Sequence, residues 1–226
     1  MSGDEAFERD GFKLFPQAAG GAALVRLREF VGVGSGAGTR LDANALTPVA
    51  DLIGRNGAIG EVAATLLDRQ SFAVRAILLD KQPDTNWSLD WHQDRTINVA
   101  ERSELDGYGS WTVKQGLLHA QPPQAVIEGL VTLRVHLDDV PDSNGPLRVL
   151  SGSHLLGRLL EGDIELIERR LDAVSCLATS GDVWAYRTAI VHASSSVAAE
   201  HGSRRVLQLD YACDALDSPL RWAMKI

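Results

Sequence analysis

The apolar positions of this chain change their period near residue 70, and the change divides it into two kinds of structure. Before that point Leu24 and Leu27, then Val49, Leu52 and Ile53, then Val62, Ala63, Leu66 and Leu67 recur three or four apart, the spacing of one helix face. Short helices are therefore expected over 24–30, from Thr47-Pro48 onward, and over 59–67, with the proline as a helix start. Residues 6–15 read as a short capped helix and an entering strand, anchored by Phe7, Phe12, Leu14 and Phe15 and turned at Asp10-Gly11.

Beyond residue 70 the pattern is that of strands. Phe72 to Asp80 is an apolar run interrupted by Arg75, which either faces solvent or points at an anion. Residues 129–138 alternate Val131, Leu133, Val135 and Leu137 with Thr132, Arg134, His136 and Asp138, which predicts a strand with one face on a core. His136 then lies either in a polar lumen or on the surface. Further strands are expected at 147–150, at 184–192 as one crossing of the core, and at 204–211, where Arg204, Val206, Gln208 and Asp210 share a face. Residues 97–123 are polar and long for a connection and read as a lid or binding loop, whereas 155–170 read as a partly helical insertion. The whole predicts one domain over 1–226, mainly β with flanking helices: a helical third to about residue 70, then a β core over 71–212.

Composition narrows the function classes only slightly. Hydrophobic residues at 45% and charged ones at 23% are ordinary for a globular protein. A net charge of -8 argues against a nucleic-acid or anionic-membrane partner, which would need clustered Lys and Arg, and leaves a small-molecule substrate as the expectation. Cys176 and Cys213 lie far apart, so neither a disulfide framework nor a thiolate zinc site is indicated. The first residues lack an apolar signal core and no 18-residue apolar run occurs, so a cytoplasmic location is expected. Gly32 to Gly38 is glycine-rich but lacks the Lys-Ser/Thr of a phosphate loop, and reads as a connector.

The chemistry concentrates in Trp87-Ser-Leu-Asp-Trp-His-Gln-Asp94. His92 and Asp94 are two apart, so on a strand they leave the same face and can bind one cation from one side. A second imidazole from a distant strand would complete the two-histidine, one-carboxylate triad that leaves positions open on ferrous iron. His192 is the preferred candidate, about 100 residues on and so separated by the several strands that close a barrel. His119 is the alternative, set aside because Gln121-Pro-Pro123 beside it reads as irregular loop. His154, among Gly and Ser, is assigned to a bend.

Taken together, Phe12, Asp80-Lys-Gln-Pro-Asp-Thr-Asn-Trp87, Trp91-His-Gln-Asp94, Gly145-Pro-Leu-Arg-Val-Leu-Ser-Gly-Ser-His154, Gly181-Asp182 and His192 followed by Arg204 resemble the phytanoyl-CoA dioxygenase family of Fe(II)- and 2-oxoglutarate-dependent oxygenases. The resemblance implies a double-stranded β-helix, a jelly roll of two sheets, with His92, Asp94 and His192 as iron ligands. It implies that Arg204, or Arg205 beside it, pairs with the distal carboxylate of 2-oxoglutarate, and that O2 is the oxidant. Lys81 and Arg75 are placed with Arg204 at the co-substrate, and Asn86, Trp87, Trp91 and His136 around the substrate. Lys81 as a turn cap and the tryptophans as core are the plainer readings of those residues. A carboxylate at residue 94 keeps that coordination position filled by protein, so hydroxylation of an unactivated C-H bond is expected and halogenation is not. The competing expectation is a non-catalytic, metal-stabilised jelly roll that binds a small organic acid.

Overall fold

A strand with apolar groups on one face and polar groups on the other needs two different environments, and the fold supplies both. The computed structural model describes residues 4–32, 38–67, 69–82, 86–197 and 204–226. The glycine-rich connector at 33–37, and parts of the loops at 83–85 and 198–203, lie outside the described residues. The chain begins with α1 (Glu5–Asp10), β1 (Phe12–Phe15), α2 (Ala22–Val31) and β2 (Thr39–Leu41). A 3-10 turn at Thr47–Val49 leads into α3 (Ala50–Ile53) and α4 (Ala58–Leu67). Then follow β3 (Phe72–Lys81), β4 (Leu89–His92), β5 (Ile97–Asn98), β6 (Gly109–Lys114), β7 (Leu117–Gln121), α5 (Gln124–Glu128), β8 (Val131–His136) and β9 (Leu147–Leu150). The chain closes with α6 (Glu161–Glu168), β10 (Ala173–Cys176), β11 (Val183–Arg187), β12 (His192–Ser194) and β13 (Arg204–Ala212).

A six-stranded sheet runs β1-β11-β8-β13-β3-β2 and a four-stranded sheet runs β10-β9-β12-β4. Leu147, Val149 and Cys176 of the smaller sheet share an apolar cluster with Tyr186 of the larger, so the two pack face to face as a jelly roll. On the outside of the large sheet, Leu27, Ile53, Ile59, Val62 and Leu66 of the helices cover Val131, Leu133, Val135, Leu207 and Leu209. That helical cover explains why β8 is buried on both faces, not on one as its alternation predicts. The other face of β8 carries Thr132, Arg134 and His136 into the space between the sheets.

Three other expectations are corrected by pairing. Residues 97–123 are no simple loop: β5, β7 and β6 form their own three-stranded sheet, and His119 lies on β7, buried. The single strand expected over 184–192 is two, with β11 in the large sheet and β12 in the small one. The mostly helical N-terminal third supplies both edges of the large sheet, β1 as the entering strand expected after the first helix and β2 as a strand the pattern did not predict. No helix among the described residues is long and apolar enough to cross a membrane.

The Gly145 to His154 stretch acquires a mechanical meaning. Gly145 has φ 56°, and a Cβ there would meet the Ser195 carbonyl at 2.5 Å, so glycine lets the turn lie directly against the segment after β12. Ser153 donates to the Leu150 carbonyl at 2.7 Å and accepts from the Val191 amide at 2.8 Å, which ties the end of β9 to the start of β12. The His154 ring meets the Glu8 carbonyl at 3.0 Å, anchoring the same bend to α1. Replacing Ser153 by Ala leaves two backbone groups unpaired in a fully buried position. We expect a loss of about 1–3 kcal/mol, read as a lower urea midpoint at unchanged m.

Candidate active site

Strand register assembles the site. In the antiparallel pair of β12 with β4, His192 lies directly opposite His92, and their ring centroids are 4.4 Å apart. Asp94 follows β4 on the same side. One ligand atom from each of His92, Asp94 and His192 falls within 4.8 Å of the others, close enough for a single ion.

The second polar atom of each residue is already engaged. His92 Nδ1 meets the Asp90 carbonyl at 2.7 Å, and His192 Nδ1 meets the Ile190 carbonyl at 3.0 Å, each two residues back. A carbonyl only accepts, so both rings carry the proton on Nδ1 and present a bare Nε2. Asp94 Oδ2 accepts from Arg75 Nη2 at 2.8 Å, which leaves Oδ1 free. Two imidazole nitrogens and one carboxylate oxygen converge, a donor set that suits ferrous iron.

Electrostatics keeps His192 and Asp94 in the protonation states a metal requires. Burial lowers His192 to about 4, reinforced by the neighbouring His92, so its ring is neutral at pH 7. Burial alone would raise Asp94, but the Arg75 charge and the two rings hold it down at about 2. Arg75 is itself buried and works against desolvation through its acids, Asp210 and Asp94, which raise its pKa. Its Nε is 2.6 Å from Asp210, whose other oxygen accepts from Thr132 at 3.0 Å. Arg75 was expected at the co-substrate; its charge is instead consumed by Asp94 and Asp210, and it braces the Asp94 carboxylate.

The inner face of the large sheet presents successive rows. Arg75, Asp210 and Thr132 form one row across β3, β13 and β8; Ile77, Gln208 and Arg134 form the next; Leu79, Val206 and His136 the third; Lys81 and Arg204 the last. Arg204 is 2% exposed, donates to the Gly145 carbonyl, and has a buried Nε with no partner. Arg205 points to the opposite face, pairing with Asp138 at 2.7 Å, so the alternative to Arg204 is outside the lumen. Lys81 Nζ donates to the Ser195 carbonyl at 2.6 Å and to Ser194 at 3.3 Å, and stands 4.8 Å over the Trp87 ring. Burial lowers Lys81 to about 7, with Arg204 and Arg134 adding to the effect. Burial likewise lowers Arg204 to about 9, with Arg134 adding to it. Neither Lys81 nor Arg204 has an acid in ion-pair range among the described residues.

A cavity of about 400 Å³ opens on the triad, bounded also by Arg40, Trp87, Leu89, Gln115, Arg134 and Gln208. Of the residues expected around the substrate, Trp87 lines it. Trp91 faces away, with its ring 4.8 Å from Arg148 and its Nε1 bonded to Glu168 at 2.6 Å, because alternation along β4 sends it to the other side from His92. Asn86 clasps the Val197 backbone through both amide atoms and lies outside the cavity lining. His136 is buried at 1% exposure with both ring nitrogens unpartnered, in the lumen and not on the surface. Alternation gave Arg134 and Gln208 each a strand face but left open whether that face was lumen or surface, and Arg40 left no sequence signal, since β2 is three residues long and lies on a sheet edge.

A jelly roll that brings two imidazoles and a carboxylate together has the donor set non-haem iron oxygenases use. The model of the phytanoyl-CoA dioxygenase family matches residues 7–206, and the chain belongs to that family: it is a 2-oxoglutarate-dependent non-haem iron dioxygenase. No curated protein matches it in sequence. Among solved structures it is similar to AviO1 from Streptomyces viridochromogenes, with 21% identity, 94% of each chain covered and a TM-score of 0.62. It is also similar to EctD from S. alaskensis, solved with 2-oxoglutarate and 5-hydroxyectoine, at 17% identity, covering 97% of this chain and 79% of that one, with a TM-score of 0.69. HygX from Streptomyces hygroscopicus, solved with nickel and 2-oxoglutarate, gives 18% identity, 94% and 87% coverage, and a TM-score of 0.62. At these identities the likeness establishes the shared fold.

Substituting Arg75 by Met removes the cation between two buried carboxylates. Anaerobic titration should show Fe(II) affinity lowered about 10–100-fold, as for lost outer-shell partners of metal ligands, with a lower melting temperature.

Proposed function

We propose that His92, Asp94 and His192 hold ferrous iron and that Arg204 and Lys81 hold the distal carboxylate of 2-oxoglutarate, for hydroxylation of a C-H bond in a small molecule. The observation that carries this is the division of labour within the triad: every ligand has one atom fixed by the protein and one left bare, pointing to a common centre. Two buried cations without an acid supply the complementary half, since isolated buried charges are costly until an anion arrives. EctD and HygX were solved with 2-oxoglutarate bound, which supports the same co-substrate here.

Iron with this co-substrate supplies an oxidant strong enough for an unactivated C-H bond. The balance is substrate, O2 and 2-oxoglutarate in; hydroxylated substrate, succinate and CO2 out. The chain's own contribution is to fix three ligands on one side, hold the diacid by its far end, and leave the cavity side open for the molecule to be oxidised. Ser194, within reach of Lys81 and two residues beyond His192, places a hydroxyl where that diacid would lie.

Mixing the protein anaerobically with Fe(II) and 2-oxoglutarate should produce a weak visible charge-transfer band that Asp94→Ala lacks. Under air the wild type should release succinate, which a merely metal-stabilised binding protein would not do. Wild-type protein with neither band nor succinate would refute the assignment.

The state of Lys81 gives an independent check. Near 7 in the free protein, it is mostly neutral at pH 8, and an incoming carboxylate favours its charged form. Binding of 2-oxoglutarate at pH 8 should therefore take up a proton, seen as buffer-dependent heats in calorimetry. The uptake should fade below pH 6, where Lys81 is already charged, and vanish in Lys81→Met.

A further inference from the structure

The lumen between the sheets, of which the cavity is the open part lined by Arg40 and Arg134, holds more positive charge than iron and its co-substrate consume. Asp94 and Asp210 offset Arg75 and one further cation; a divalent metal and a dicarboxylate cancel each other. Of Arg40, Arg134 and Arg204, two charges remain over even with Lys81 neutral. Arg134 has one side-chain partner among the described residues, the neutral Gln208 at 3.3 Å, and its Nε is buried and unpaired. Arg40 has no side-chain hydrogen bond or ion pair among the described residues, and its Nε too is buried and unpaired.

Arg40 is also held in place from a second element. Its backbone amide donates at 2.7 Å to Gln115 Oε1, and Gln115 Nε2 donates at 3.1 Å to the Gly38 carbonyl. Gln115 occupies the turn between β6 and β7 with φ 51°, so a hairpin tip from the third sheet reaches across to clamp β2 at the cavity wall. Arg40 lies opposite Ile77 on the inner face of the sheet and lines the same cavity as His92, Asp94 and His192, which puts it on the wall the triad faces. A half-buried arginine on a wall of the reaction chamber, fixed by its backbone and left with free donors, has the form of an anchor for a planar anion.

We infer that the molecule oxidised is a small organic acid whose carboxylate is held by Arg40, on the side of the metal away from the 2-oxoglutarate grip. This rests on the proposed iron and 2-oxoglutarate site. It limits the substrate to anions that fit, with the co-substrate, in a cavity at the small end of ligand-pocket sizes. The residual positive charge draws such anions in and disfavours amines. Gln115 is a positioning residue in this scheme, acting through Arg40.

The test uses the anaerobic Fe(II) and 2-oxoglutarate complex, with acetate as the probe, acetamide as its neutral counterpart and sodium chloride at equal ionic strength as control. Acetate should shift or sharpen the charge-transfer band saturably, acetamide and chloride should not, and Arg40→Gln should weaken the acetate response at least tenfold while still forming the band. Gln115→Ala, which leaves the guanidinium present but unclamped, should weaken it less, by a few fold. No acetate response, an equal response to acetamide, or a response retained in Arg40→Gln overturns the inference. Absence of the band in wild type would instead refute the iron and 2-oxoglutarate assignment on which it stands.

Discussion

The site depends on one strand pairing. Residues 92 and 192 become neighbours because β4 and β12 pair antiparallel in a register that sets them opposite each other. A slip of one residue would turn the His192 ring to the other face, since side chains alternate along a strand. That register is protected on both sides. Val149 of β9 pairs with His192 from the other edge, and the Ser153 hydroxyl stitches β9 to the residue before it.

The same logic of double commitment governs the charges. Arg75 reaches from the large sheet to Asp94, which belongs to the segment after the small sheet, so the ion pair couples the two layers as well as orienting a ligand. Asp210 sits opposite Arg75 in the register of β3 and β13, and its link to Thr132 extends the tie to β8. An isolated buried arginine would be expensive, and an isolated pair of buried acids more so; only the assembly is stable. Further along the sheet the neutralising acids stop, and Arg134, Lys81 and Arg204 face the lumen with no acid in ion-pair range among the described residues. The fold thus separates a self-compensated half that fixes the Asp94 carboxylate beside the two histidines from a half whose cations lack acids among the described residues.

The third sheet ties these halves to the surface. A segment rich in polar residues builds β5, β7 and β6 and extends its turn to β2, an edge strand donated by the N-terminal part of the chain. Such a link makes the cavity wall depend on two segments more than seventy residues apart, Arg40 and Gln115, neither of which is a metal ligand.

Alone, the sequence determined the change from helical to strand period, the common face of Thr132, Arg134 and His136 without saying whether it pointed inward, the shared face of Arg204, Gln208 and Asp210, and the two-residue spacing of His92 and Asp94. These are local properties, set by alternation and side-chain type within a few residues. Residue type and strand spacing made His192 the preferred third ligand, and the family likeness added the role of Arg204. Only the tertiary structure decided that Arg75 serves Asp94 and not the co-substrate, that Trp91 turns away, that 184–192 breaks between two sheets, that His119 lies in a strand, and that Arg40 reaches the cavity at all. Each of these is fixed by which distant strand lies alongside, and pairing between remote segments leaves no periodic trace in either one.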